Sequence, residues 1–404
     1  MTKTTTNLVG LTRHELEELA VSLRQQRYRG RQLYHGIYGR LRQDFSAFTD
    51  LDLGFRRQLA ANYEIAHLPV LRELTSRDES IRYLLGLPEG ASIEAVCMPW
   101  RFERRGGRPV ATPSGREPLT PSDTERQDLN AEAEEPRTTL CISSQVGCAV
   151  GCRFCFTGLL GAGRNLTPGE IVGQVLTIAQ ARVLWGADAK RQSAGSERGN
   201  GIRALNPRAA PRMNIVFMGQ GEPLLNLDSV LRAVEILADS GACGVPLRRI
   251  TISTAGIVPR IYDLARQKVR PKLAISLNAS NDEQRDALMP INRKYPLSVL
   301  LQACRSYPLR TRERLTFEYV MLKDLNDSDG DAVRVARLLA GIPARVNLIP
   351  YNGGTGLPYR SSPLERVYGF EKVLRERGVP TFVRISRGRD IMAACGQLSL
   401  SGTS

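Results

Sequence analysis

Three of the chain's 8 cysteines fall within one short stretch, Cys148-Ala-Val-Gly-Cys152-Arg-Phe-Cys155. A thiolate is a soft, anionic metal ligand, and this C-x3-C-x2-C spacing sets three of them on one tight loop. Closed zinc sites and ordinary iron–sulfur clusters take four protein ligands. A loop with three is either one ligand short, to be completed as a zinc knuckle by another cysteine such as Cys141 or Cys395, or it leaves a coordination position open. In the second case it grips three irons of a [4Fe–4S] cluster. The open fourth iron can then bind the amino and carboxylate groups of S-adenosylmethionine and pass an electron into its sulfonium. Only 3 histidines occur, His14, His35 and His67, so a histidine-built metal site or a histidine general base is not expected.

Such a loop needs a scaffold, and the rest of the chain reads as one. Strands are predicted at 138–145, 213–219, 249–254, 272–279, 314–322, 344–352 and 381–386, with helical patterns between them at 168–185, 227–241 and 362–378. Strand–helix repetition with continuous apolar strands predicts a parallel α/β sheet, open or closed into a barrel, with its chemistry at the carboxyl ends of the strands. The cysteine loop follows the first of these strands directly. The segment Met218-Gly-Gln-Gly-Glu-Pro-Leu-Leu-Asn226 closes the next one. A backbone carbonyl and a carboxylate within Gly221-Glu222-Pro223 suit an ammonium ion.

Ahead of this core, residues 12–27 read as an amphipathic helix, with Thr12 and Glu15 at capping-box spacing and Leu16, Leu19, Ala20 and Leu23 on one face. A second helical stretch, 24–43, interleaves arginines with Tyr28, Tyr34 and Tyr38. That pattern suits RNA stacking, and it equally suits a solvated face whose tyrosines pack inward. The expected divisions are a helical domain at 1–72, a short β region at 73–137, the core at 138–390 and a carboxyl-terminal segment at 391–404. Two Pro-, Gly-, Ser- and charge-rich stretches, 101–137 and 186–212, read as mobile insertions.

Fifty-six Lys and Arg against 41 Asp and Glu give a net charge of +15, the balance of a nucleic-acid partner. The polar first residues carry no signal-peptide pattern, and no apolar run is long enough to span a membrane. A cytoplasmic protein is expected, with its cysteines as thiols or ligands rather than disulfides.

On these motifs the chain resembles the radical S-adenosylmethionine enzymes, and more specifically the RlmN/Cfr group of ribosomal RNA methyltransferases. The segments carrying the likeness are SIEAVCMP, LCISSQVGCAVGCRFCFTG, GQGEPLLN, ITISTAGIVP, LAISLNA, VNLIPYN and AACGQL, spread over nearly the whole chain apart from the insertions and tails. The resemblance implies a partial (β/α) barrel with a small N-terminal helical domain that binds RNA. It also implies a [4Fe–4S] cluster with S-adenosylmethionine, and a flavodoxin- or ferredoxin-like electron donor. The implied activity is methylation of carbon 2 of an adenine in the peptidyl transferase centre of 23S rRNA, and of an adenine in tRNA next to the anticodon.

Position by position, Cys148, Cys152 and Cys155 match the cluster ligands. Gly221, Glu222, Ser253, Ser276, Leu277, Asn278 and Asn352 match the S-adenosylmethionine contacts. Cys395 matches the cysteine that becomes S-methylated, Cys141 its thiol partner, and Glu94 the proton acceptor for the RNA adduct. The family's route answers a chemical problem: an adenine C–H carbon is a poor nucleophile. The methyl group is therefore first placed on a thiolate, then joined to the base by radical addition. The protein–RNA bond is finally released by a transient disulfide. Cys97, Cys243 and Cys304 match no role and read as small buried residues. Gln220 stands where the family usually has methionine.

The sister activity at carbon 8, Cfr-type, shares all these motifs. A zinc-stabilised, non-catalytic RNA-binding protein is the reading from another functional class. It gives no reason for Glu222, Asn352 and Cys395 to recur in matching contexts.

Overall fold

The computed structural model describes residues 5–100, 102–105, 108–111, 137–182, 212–354 and 356–398. Among these residues ten strands form one sheet in which spatial order follows chain order. They are β1 (Val70–Thr75), β2 (Ile81–Gly86), β3 (Ser92–Trp100), β4 (Arg137–Cys141), β5 (Arg212–Phe217), β6 (Ile250–Thr254), β7 (Lys272–Ser276), β8 (Leu315–Met321), β9 (Ala344–Pro350) and β10 (Thr381–Val383). From β4 to β10 every pairing is parallel, whereas β1 to β4 pair antiparallel. Parallel neighbours require crossovers, and helices such as Pro168–Ala181, Leu227–Ala238, Val258–Ala265, Leu297–Arg305, Asp329–Leu338 and Leu364–Glu376 supply them. The result is the expected partial (β/α) barrel. The antiparallel strands β1–β3 extend the same sheet rather than merely linking to it.

The two faces of this sheet differ, and the difference makes the site. Residues paired in register point to the same face, and so do residues two apart on a strand. On the outer face Leu140, Ile215, Ile252, Ile275, Phe317 and Val346 are wholly buried. They share one core with Val175, Val234, Ile261, Leu300, Val335 and Phe370 of the helices. On the inner face the register runs from Val96 to Cys141, Val216 and Thr251, then two residues on from Ser253 to Ala274, and two further on from Ser276 to Glu318 and Asn347. The strands are therefore not uniformly apolar as the sequence suggested. They alternate, because the lumen of an incomplete barrel must stay polar and open enough to admit a ligand.

Chain direction changes at caps that were readable in advance. Thr12 and Glu15 form the capping box of helix Arg13–Ser22, with the Thr12 amide donating to Glu15 Oε2 at 2.8 Å. Leu16 and Ala20 are buried, and Leu19 and Leu23 pack against the same core. The helix ends where Arg24 takes a left-handed φ of 58°. A second helix, Arg27–Tyr34, continues into a π-turn at His35–Gly39. Here the inward-packing alternative holds for two of three tyrosines: Tyr34 and Tyr38 are buried, while Tyr28 is exposed beneath the Arg29 guanidinium.

These N-terminal helices sit directly on the barrel. The Tyr38 hydroxyl accepts from the Gly10 amide at 2.8 Å and donates to the Leu11 carbonyl at 2.9 Å. A Cβ on Gly10, whose φ is +101°, would lie 2.4 Å from the Gly169 nitrogen at the start of helix Pro168–Ala181. Glu15 pairs with Arg232 of helix Leu227–Ala238.

Within the stretch 101–137, a short hairpin pairs Phe102–Arg105 with Arg108–Ala111. Residues 112–136, nearly all of the second insertion and residues 399–404 lie outside the described residues. Among the described residues no helix is long and apolar enough to cross a membrane.

Candidate active site at the barrel mouth

The cysteine loop leaves the carboxyl end of β4. Residues Gln145–Gly147 pair antiparallel with Ala162–Asn165, which closes the loop at its base. Gly151 adopts a φ of +65° inside it. The Arg153 amide donates to the Leu288 carbonyl at 3.0 Å, and Cys155 N–H to the Cys152 carbonyl at 3.2 Å. Val150, Phe154, Ala255, Leu288, Met289, Leu322 and Tyr351 surround the three half-buried cysteines with apolar surface.

That wall is hostile to bare thiolates. Burial pushes the Cys148 thiol up to about 12, opposed by the Val150 and Gly151 amides, and it pushes Cys152 well up. A group that brings positive charge reverses this balance, since a coordinating thiol is deprotonated outright. A cubane cluster takes one thiolate per iron, whereas a single zinc needs its thiolates to converge on one point. Three cysteines on one loop, lined by an apolar wall with no fourth cysteine in it among the described residues, fit the three-liganded iron–sulfur group.

Gly221 and Glu222 follow β5. Gly221 has a φ of +97°, and a Cβ there would lie 2.7 Å from the Gln145 nitrogen, so only glycine lets this turn lie on the loop base. The Gln145 side-chain oxygen accepts from the Glu222 amide at 2.7 Å. The Glu222 carboxylate is buried and accepts from the Leu224 amide at 3.0 Å and the Ala255 amide at 2.7 Å. Burial pushes its carboxyl up to about 7, with the Ala255 and Leu224 amides and the Thr254 side chain opposing. A cationic amine would repay that desolvation. Ser253 and Ser276 are half-buried on the inner face, and the Asn352 amide donates to Ser386 Oγ at 2.8 Å and the Cys395 carbonyl at 3.4 Å.

Two of the residues expected at the ligand are engaged elsewhere. Leu277 is wholly buried in the main core, its amide donating to the Glu318 carbonyl at 3.0 Å. Asn278 stands at a φ of +55°, its Oδ1 taking the Val320 amide at 2.9 Å and its Nδ2 reaching Met289 Sδ at 3.4 Å. Both hold strand ends in place.

The carboxyl-terminal segment folds back over this mouth. The Gly396 carbonyl accepts from the Phe156 amide at 2.8 Å, the Leu398 carbonyl from Thr157 Oγ1 at 2.7 Å, and the Gln397 side chain donates to the Gly353 carbonyl at 2.8 Å. The segment thus docks onto the helical turn that begins at Cys155. Cys395 is exposed in the mouth, yet surrounded closely enough that burial pushes its thiol up to about 11, with Glu318 adding to the rise. Cys141, at the end of β4, is half-buried. Burial raises its thiol strongly, with Cys395 adding to the rise.

Glu94 lies on the inner face of β3, two residues from Val96, which pairs with Cys141. It is buried and ion-paired with Arg82, whose Nε donates to Oε1 at 2.8 Å and whose Nη1 holds the Ile391 carbonyl at 3.0 Å. Arg82, Gln145 and Ser386 were missed in the sequence. Arg82 and Ser386 lie outside the recognisable motifs, and Gln145 lies inside the cysteine motif without a readable role; the three act by holding Glu94, Asn352 and Glu222. Gln220 is buried, with its side-chain oxygen accepting the Glu94 amide at 3.3 Å.

Known proteins share this arrangement. Residues 6–65 match the family described as ribosomal RNA large subunit methyltransferase N-terminal domain, and residues 202–336 match the radical SAM superfamily. A relative from Koribacter versatilis is 45% identical over 93% of this chain and 96% of its own. One from Anaeromyxobacter sp., named dual-specificity RNA methyltransferase RlmN, is 42% identical over 98% of this chain and 91% of its own. The crystal structure of a radical SAM methyltransferase from Sphaerobacter thermophilus superposes with a TM-score of 0.77 at 40% identity, covering 97% of this chain and 99% of that one. With full-length likeness of this degree laid over a three-cysteine loop and a thiol pair at one barrel mouth, the chain belongs to the RlmN family of radical S-adenosylmethionine methyltransferases.

Proposed function

We propose that this protein methylates carbon 2 of an adenine in the peptidyl transferase centre of 23S rRNA, and of a tRNA adenine next to the anticodon, through a methyl group carried on Cys395. The observation that carries this reading is the shared inner face. Glu94, Cys141, Ser253, Ser276 and Glu318 stand on it by strand register, and Cys395 enters over it from the carboxyl-terminal segment. A zinc-stabilised binding module has no use for a carboxylate and two free thiols inside a barrel.

When bound, the cluster and S-adenosylmethionine supply an electron and a carbon radical, held by Cys148, Cys152, Cys155 and by Glu222 with Asn352. The protein's own residues do the remainder. Cys395, as thiolate, accepts a methyl group and later bears the carbon that joins the base. Glu94 takes the proton lost from the adenine carbon. Cys141, as thiolate, then attacks Cys395 sulfur; the S–S bond forms, the C–S bond breaks, and its electron pair stays with the substrate carbon, which takes up a proton to become the methyl group. A flavodoxin- or ferredoxin-like reductant and a cytoplasmic setting complete the reading.

Anaerobically reconstituted protein, incubated with protein-free 23S rRNA or tRNA and then digested for mass spectrometry, should yield 2-methyladenosine. Formation of 8-methyladenosine instead would assign the Cfr-type activity. A colourless protein holding one zinc and yielding no methylated base would leave the binding-module reading.

RNA attraction in this reading falls on the N-terminal layer, where Arg24, Arg27, Arg31 and Arg40 are exposed. Deleting residues 1–70 cannot test it, because Leu8, Leu16, Leu33 and Phe55 belong to the core shared with the barrel. Replacing Arg24 and Arg31 by glutamine spares that core. It should weaken RNA binding and reduce the slope of log affinity against log salt by about 0.9 for every phosphate that is no longer neutralised. An unchanged slope would place the phosphate-binding surface elsewhere.

A further inference from the structure

Among the described residues the largest completely buried side chain is a cation. Arg285, 1% exposed, stands on helix Asp282–Leu288 directly behind the mouth. Its Nη2 donates to the Ala255 carbonyl at 2.7 Å and the Ser276 carbonyl at 3.1 Å, and its Nε to the Leu277 carbonyl at 3.2 Å. Nη1 donates to Asn292 Oδ1 at 3.0 Å. Among the described residues Arg285 forms no ion pair. Asn292 stands between it and two carboxylates, donating to Asp282 at 2.9 Å and Asp286 at 2.7 Å.

Two features of this placement exceed the needs of a clamp. The first concerns which carbonyls are held. Ser276 ends β7, Leu277 follows it, and Ala255 follows β6, so one guanidinium ties together the carboxyl ends of the two strands that carry Ser253 and Ser276. The Ala255 peptide is shared further, since its amide donates to Glu222 and its carbonyl accepts from Arg285. The second feature is the nearness of the cysteine loop. Leu288, one turn beyond Arg285, accepts the Arg153 amide at 3.0 Å, and Met289 lies in the apolar wall around the three thiols. The guanidinium thus stands on the helix whose carboxyl end meets the cysteine loop.

Burying a guanidinium whose partners are neutral carbonyls is costly, and neutral amides could brace the same strand ends. What only the cation adds is a positive field behind the thiolates. We propose that Arg285 is a positioning residue with two effects: it fixes the strand ends that frame the S-adenosylmethionine site, and its charge makes the iron–sulfur group easier to reduce. This rests on the reading of Cys148, Cys152 and Cys155 as cluster ligands.

Two variants separate the effects. R285Q keeps an amide donor and loses the charge, whereas R285K keeps the charge and loses the fork that reaches three carbonyls. Each is reconstituted anaerobically beside the wild type, and a one-electron titration is followed by visible absorbance and electron paramagnetic resonance. For R285Q the reduction equilibrium constant should fall by about tenfold, a drop of about 59 mV. R285K should keep the wild-type potential. Its KM for S-adenosylmethionine should rise about tenfold while kcat changes less, the pattern of lost ground-state binding.

Wild-type protein that takes up no cluster would defeat the underlying family reading, whatever the variants do. If the wild type reconstitutes and R285Q keeps its potential, the tuning role fails. R285K falling as far as R285Q would likewise overturn it. If both variants lose their cooperative melting transition, Arg285 is a structural residue only and the proposal fails.

Discussion

Alanine in place of Cys148, Cys152 or Cys155 should remove the iron–sulfur absorbance and all methylation while leaving the protein folded. Each thiolate serves a different iron, so no neighbour can substitute, and iron content should drop from about four atoms per chain to near zero. The fold should tolerate the change because the three cysteines sit against a small apolar cluster of their own, apart from the core that joins sheet and helices. Cys97, Cys243 and Cys304 provide the contrast. All three are buried in that main core, with burial pushing their thiols up to about 11, 12 and 12. Alanine at any of them should cost about 1 kcal/mol of stability and leave the iron in place. Iron analysis, absorbance and thermal melting of the six single variants check both halves. A loop variant that keeps full iron and activity would remove that cysteine from the ligand set.

The order of strands and helices was legible because turn chemistry and periodicity agree along this chain. The capping boxes at Thr12–Glu15 and Thr167–Glu170 start helices as their spacing requires. The catalytic motifs were legible for a different reason: a barrel of parallel strands delivers every strand end to one rim, so motifs at successive ends must meet. What stayed hidden were the partners of those motifs. Nothing local to Arg82 tells that it will face Glu94, since their meeting depends on the pairing of β2 with β3. Arg285 reads as one charge among many on a polar helix, Asp282–Leu288, and only the packing of that helix against two strand ends turns it inward. The N-terminal tyrosines could not be assigned to core or surface from their spacing. Burial of Tyr34 and Tyr38 depends on where helix Arg27–Tyr34 and the following π-turn meet the barrel.

Cys141 and Cys395 should fail in different ways, and the difference follows from their surroundings. Without Cys395 no thiolate stands in the mouth to accept a methyl group, so neither S-methylated protein nor methylated RNA should form. Cys141 is needed only afterwards. Its thiol is held high chiefly by burial, higher than that of Cys395, so Cys395 is the first of the two to ionise and to accept the methyl group. In Cys141→Ala the methyl transfer and the joining of Cys395 to adenine can proceed, but nothing breaks the resulting C–S bond. The variant should therefore stop after a single turnover as a covalent protein–RNA adduct, with nuclease-sensitive heavy bands on a denaturing gel. The double variant lacking Cys395 as well should show no such bands. A residue that merely packs at the end of β4 predicts lower stability and no adduct. Normal turnover by Cys141→Ala, or S-methylation of Cys395 that never leads to cross-linking, would mean that release in this protein does not run through a disulfide.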